Sequence, residues 1–129
     1  MTYDDVVTMV EEIGLPCAYD HFAEGESPDP PFVVFLFPDS DNFFADGVVY
    51  QQRTGLSIEL YTDIKEPKHE RKIEQVLASW DVPWNKTETW IEDEKLYEVR
   101  YGTVIEYDSE PDEEKEDNND VGKEEQSEV

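Results

Sequence analysis

Six consecutive apolar residues, Phe32-Val33-Val34-Phe35-Leu36-Phe37, stand between Pro31 and Pro38. The run is far too short to span a bilayer, and the flanking prolines fit a strand better than a helix. A half-buried strand alternates apolar and polar residues, and this one does not. Both of its faces therefore need cover, either inside the domain or at a subunit interface.

The neighbouring segments supply candidates for that cover. Thr2 can cap a first helix whose apolar stripe is Val6, Met9, Val10 and Ile13. Asp4 and Asp5 suit its first turn, Gly14 suits the position after its end, and Pro16 blocks continuation. Cys17 to Phe22 reads as a short strand with Tyr19 as its packed residue. Residues 23–31 read as a proline-rich acidic connection, and residues 39–47 as a loop with Phe43 and Phe44 in its middle. Val48 to Gln52 and Leu56 to Thr62 read as strand, interrupted at Gly55. A second helix starts near Glu66-Pro67 and buries Ile73, Val76, Leu77 and Trp80, with Pro83 beyond its end. Lys86 to Glu92 and Leu96 to Tyr107 form a hairpin with Tyr97, Val99, Tyr101, Thr103 and Ile105 on one face. The fold class is α+β: a largely antiparallel sheet with two helices packed on one face.

Charge divides the chain. Of 129 residues, the last 22 (108–129) hold 11 acidic and 2 basic side chains and little that is apolar. Such a segment cannot offset its ordering entropy, so 108–129 is expected to be a disordered acidic tail behind a single domain at 1–107. The whole chain carries −24; the tail's −9 leaves −15 on the domain, from 8 basic and 23 acidic side chains. That charge disfavours nucleic acid and anionic membranes as partners. It fits either a solvated acidic surface or a patch for a basic partner, including one that mimics DNA. The single cysteine, Cys17, allows no internal disulfide, and the N-terminus does not read as a signal peptide. The sequon at Asn85 is expected to stay unmodified for the same reason.

No catalytic or metal site is read from the residues. A calcium loop begun at Asp39 would place Phe43 and Phe44 where a ligand and a glycine are needed. Cys17 and His21 lie four apart, but with His69 the only other histidine and no second cysteine a zinc site would need arbitrary carboxylates, and acidic neighbours disfavour a reactive thiolate. Carboxylates are too abundant for any pair to be diagnostic, and no glycine-rich phosphate cradle is present. Lys68, Arg71 and Lys72 are interleaved with Glu66, Glu70 and Glu74, which suits pairing along one helix face. Trp80, Trp84 and Trp90 suit core packing or a protein interface better than base stacking. Phe43 and Phe44 escape every periodic stripe. They are either a plug over the core or an anchor for a partner subunit.

The segments Val10-Glu11-Glu12-Ile13-Gly14-Leu15-Pro16, Pro30-Pro31-Phe32, Asp41-Asn42-Phe43-Phe44-Ala45-Asp46, Ile58-Glu59-Leu60-Tyr61-Thr62 and Trp90-Ile91-Glu92 to Tyr97-Glu98-Val99 carry a resemblance. Over roughly residues 1–107 the chain resembles small tail-completion (tail-terminator) or head–tail joining proteins of siphophages and prophages of Gram-positive bacteria. The resemblance implies a virion assembly protein made in the host cytoplasm. It would form a ring of its own copies, commonly a hexamer, on the end of the tail tube, against head–tail connector proteins. It implies no enzyme activity, no cofactor and no metal. Asp41, Asn42, Phe43, Phe44 and Asp46 become the expected subunit-contact residues. Negative charge would hold subunits apart until a tail template overcomes the repulsion. The other function class compatible with the charge is a small acidic DNA mimic that inhibits a basic host nucleic-acid-binding protein. Loss of the gene separates the two: abnormally long or headless tails for the first, normal virions for the second.

Overall fold

The structure, a computed structural model, describes residues 1–45 and 47–108, with the backbone alone at 43–45 and 48–51. Apart from Asp108, the stretch read as a disordered tail lies outside the described residues. Asp108 itself belongs to the domain: its N–H donates to the Met1 carbonyl at 2.8 Å, and its carboxylate meets the terminal ammonium at 3.2 Å.

In chain order the elements are α1 (Tyr3–Glu11), β1 (Cys17–Tyr19), β2 (Phe32–Leu36), β3 (Phe43–Ala45), β4 (Val48–Gln51), β5 (Arg53–Thr62), α2 (Pro67–Ser79), β6 (Asn85–Ile91) and β7 (Leu96–Glu106). Five strands form one sheet in the order β1-β2-β5-β7-β6, and β3 and β4 form a separate two-stranded sheet. The β1–β2 pair is parallel and the other pairs are antiparallel.

Local chemistry explains the helix starts. The Asp5 N–H donates to Thr2 Oγ1 at 3.1 Å and the Thr2 N–H donates to Asp5 Oδ2 at 2.9 Å, closing a capping box. Gly14 takes a φ of +85° just past the helix, a conformation glycine adopts without side-chain clash. In α2, Pro67 occupies the first turn, where its missing N–H costs nothing. One apolar cluster then joins Val6, Met9, Val10 and Ile13 to Ile73, Val76 and Leu77, over a sheet face carrying Val33, Phe35, Leu56, Ile58, Leu60, Val99 and Tyr101.

The opposite face explains the unbroken apolar run. Phe32 and Val34 point away from the helices yet are only 8% and 7% exposed. Tyr61 stacks on Phe32 at 5.3 Å and Phe22 meets it edge-on at 5.4 Å. The two-sided cover at this point thus comes from within the chain.

Four expectations need correction. The strand at 17–22 ends at Tyr19, whose ring packs on Phe35 at 5.4 Å and Tyr3 at 5.6 Å while the residue, on a sheet edge, stays 47% exposed. The 39–47 loop contains β3, which pairs with β4 in a hairpin. The break between the two middle strands falls at Gln52 rather than at Gly55, which lies inside β5. The basic cluster on α2 is matched only in part: Lys68 pairs with Glu66, while Glu70 and Glu74 turn to Lys65 and Lys86 among the described residues.

Candidate functional site

The expected contact residues separate into two groups. Asp41 and Asn42 act on Arg53: the Asn42 Oδ1 accepts the Arg53 backbone N–H at 2.9 Å, and the Asp41 carboxylate lies 3.7 Å from the guanidinium. With the Gly55 N–H donating to the Asp39 carbonyl at 2.9 Å, they hold segment 39–41 alongside β5. Phe43 and Phe44 lie in β3, but their side chains, and Asp46 altogether, lie outside the described residues.

The sheet face away from the helices is polar at its centre. The Tyr61 hydroxyl lies 2.8 Å from Glu59 Oε1 and 3.4 Å from Glu98 Oε2, and Ser57 donates to Glu59 Oε2 at 3.2 Å. Burial, then the carboxylates, push the Tyr61 phenol far above its ordinary value, so it stays a donor. Burial, then the nearby Glu59 charge, raise the Glu98 carboxyl above its ordinary 4.5. A carboxyl raised on folding costs nothing while both states are protonated, and the cost grows as pH climbs through the folded value. Glu98→Gln should therefore raise Tm by about 2–4 °C at near-neutral pH, equivalent to about 0.5 kcal/mol, with no gain well below pH ~4.5. Thermal melts at the two pH values check this.

Beside that cluster, Arg100 lies over Gly102 and helps line a shallow cavity of about 280 Å³ with Asp39, Asn85 and Thr87. Among the described residues no carboxylate comes within ion-pair distance of Arg100.

On the helix-bearing face an ion-pair network ties α2 to the β6 edge. Lys86 Nζ lies 2.9 Å from both Glu70 and Glu74, and Lys65 Nζ lies 2.5 Å from Glu88 and 3.3 Å from Glu70. Tyr101, buried below, donates its hydroxyl to Glu74 at 2.8 Å. Burial alone would raise Glu70, but hydrogen bonds from Lys86 and Lys65 outweigh it and hold the carboxyl below its ordinary value. The glutamates expected to neutralise Arg71 and Lys72 are thus spent on lysines outside the helix. Among the described residues, Lys68 is the one member of the cluster with an ion pair, to the N-cap Glu66 at 3.8 Å. Lys86→Met should lower stability by about 1 kcal/mol, read as a lower denaturant midpoint at unchanged slope, and the loss should shrink in high salt.

Nothing in these groups builds a reaction centre. Burial, then the charge of Glu11, push the Cys17 thiol up, away from the reactive thiolate. His21 Nδ1 sits 2.8 Å from Asp20 in solvent, and His69 lies 3.2 Å from Glu66. Among the described residues, no three His, Cys, Asp or Glu side chains are grouped to hold a metal, and no helix is long and apolar enough to cross a membrane. The sequence shows the alternation of Ser57, Glu59 and Tyr61. It does not show Glu98 beside them, because cross-strand register is not visible in one segment. No family model matches the chain, and no curated protein matches it.

Proposed function

We propose that this chain is a virion assembly subunit at a phage head–tail junction, working as a tail terminator that rings the end of the tail tube. It acts through contact surfaces, without chemistry and without a cofactor. The observation that carries this reading is the β3–β4 hairpin. Its strands, Phe43–Ala45 and Val48–Gln51, are mostly apolar in sequence, yet they form a two-stranded sheet of their own outside the main sheet. A two-stranded sheet is marginal in water and gains stability by packing on another surface. An apolar hairpin of this kind suits a subunit that completes its packing against a neighbour.

Electron microscopy of particles from cells lacking the gene tests the proposal. Abnormally long tails, or tails without heads, are expected. Normal virions would overturn it, and would turn attention to inhibition of a basic DNA-binding protein.

A further inference from the structure

Among the described residues, β1 and β6 are the outer strands of the five-stranded sheet. Cross-strand pairing lines residues up in rows across the whole sheet. One row is Tyr19, Phe35, Ile58, Tyr101 and Lys86; another is Cys17, Val33, Leu60, Val99 and Glu88.

Backbone hydrogen-bonding direction alternates along each strand, so one fixed point sets the phase of every strand. The Val33 N–H donates to the Pro16 carbonyl at 2.8 Å, and the Phe35 carbonyl accepts the Asp20 N–H at 2.7 Å. Odd-numbered residues of β2 therefore face β1, and even-numbered ones face β5. Odd-numbered residues of β5 face back, as the bonds from Gly55 N–H to the Asp39 carbonyl (2.9 Å) and from Asp41 N–H to the Arg53 carbonyl (3.0 Å) require. The Tyr107 N–H donates to the Gln52 carbonyl at 3.0 Å, so odd-numbered residues of β7 face β5 and even-numbered ones face β6. The backbone groups left pointing outward are those of Cys17 and Tyr19 on β1, and of Lys86, Glu88 and Trp90 on β6.

Direction agrees with phase. β1, β2 and β7 run one way; β5 and β6 run the other. A second copy turned about an axis along the strands keeps these directions, so its β1 meets this β6 antiparallel. If the rows continue without stagger, Cys17 of the second copy faces Glu88 and its Tyr19 faces Lys86. These are the residues whose backbone groups point outward on each side. A one-residue stagger would set outward groups against inward ones. Tyr19, an exposed aromatic of the β1 edge, then comes beside the Lys86 ammonium, which already lies 5.8 Å from the Tyr101 ring centre.

We infer that copies of this chain join head to tail, β1 of one to β6 of the next, in this unstaggered register. The inference rests on the self-assembling reading above and names the surfaces that would close the ring. β1 offers only three residues, and the Tyr19 carbonyl already accepts the His21 N–H at 2.7 Å. Each junction is therefore short and opposed by charge, as a subunit that waits for a template requires.

The single native cysteine makes the register testable. Facing α-carbons in such a pair lie about 5.5 Å apart, within disulfide reach. The full chain carrying Glu88→Cys is oxidised in high salt and run on a non-reducing gel. A covalent ladder extending past dimer is expected, whereas Glu88→Cys combined with Cys17→Ser gives dimers at most. Monomers or dimers alone from the first variant overturn the inference. Glu88→Pro removes one outward N–H while leaving the β7 ladder intact. It should weaken assembly at least about tenfold with little change in Tm; unchanged assembly would also overturn the inference. A ladder together with normal virions in the gene deletion would leave edge pairing standing and remove the virion role. Rings on tails without a ladder would do the reverse.

Discussion

Tyr101→Ala lowers the stability of the folded chain by about 3–5 kcal/mol, enough to unfold much of a marginal domain. Tyr101 is 1% exposed and, among the described residues, is the largest fully buried side chain. Its ring takes Trp84 edge-on at 5.3 Å, and its hydroxyl serves Glu74 at 2.8 Å. Alanine leaves a cavity between α2 and β7 and removes a donor from a partly buried carboxylate. Tyr101→Phe separates the two effects. It keeps the ring, loses the hydrogen bond, and should cost about 1 kcal/mol. Urea unfolding of both variants checks the ratio. Equal losses would mean that the hydroxyl, not the ring, holds this corner of the core.

The second large effect is a contrast between adjacent residues. Thr87→Pro should cost about 2–3 kcal/mol, because the Thr87 N–H is turned into the ladder with β7 and proline would leave the Arg100 carbonyl without its donor. Glu88→Pro, one residue on, should cost under about 1 kcal/mol, since that N–H faces out of the sheet and the lost Lys65 partner is a surface pair. Denaturant midpoints of the two variants decide the matter, and hydrogen exchange at Thr87 and Glu88 in the unmodified chain gives an independent reading of the same phase.

Much of the fold was legible because its signals are local. The Thr2 and Asp5 capping box, the apolar stripes of both helices, and the alternation from Tyr97 to Ile105 each sit within one segment and describe that segment. The failures share a different cause. Gly55 reads as a strand breaker, but a side chain there would collide with the Asp39 carboxylate. The glycine leaves room for the Asp39 carboxylate, from a segment 16 residues earlier, to lie against the strand, which no local window shows. Phe43 and Phe44 read as loop because the polar residues before them dominate. The Asp46-Gly47 dipeptide between Phe-Phe-Ala and Val-Val-Tyr is the hairpin signal that finds β3 and β4. Tyr19 reads as packed and its ring does meet Tyr3, Phe35 and Phe37, but nothing in its own segment reveals that its strand ends the sheet and leaves it half exposed. The Lys65 and Lys86 network was hidden for a similar reason: helix spacing offers Glu70 and Glu74 to Arg71 and Lys72, while the tertiary fold offers them two lysines on the other side.

The same distinction governs the contact residues. Asp41 and Asn42 read in sequence as residues of an assembly loop; the fold adds that they fasten that segment to Arg53. The edges of the main sheet carry no motif. Their suitability for joining copies comes from strand direction and hydrogen-bond phase, which exist only once the five strands are ordered.

Sedimentation of the full chain against ionic strength puts the self-assembling subunit to its most direct test. Repulsion between chains of −24 each should keep the protein monomeric at about 0.05 M salt. Screening to a few ångströms near 1 M should release closed oligomers of one size. A chain that stays monomeric across that range at high concentration, or that forms stable rings in low salt without a template, contradicts the account.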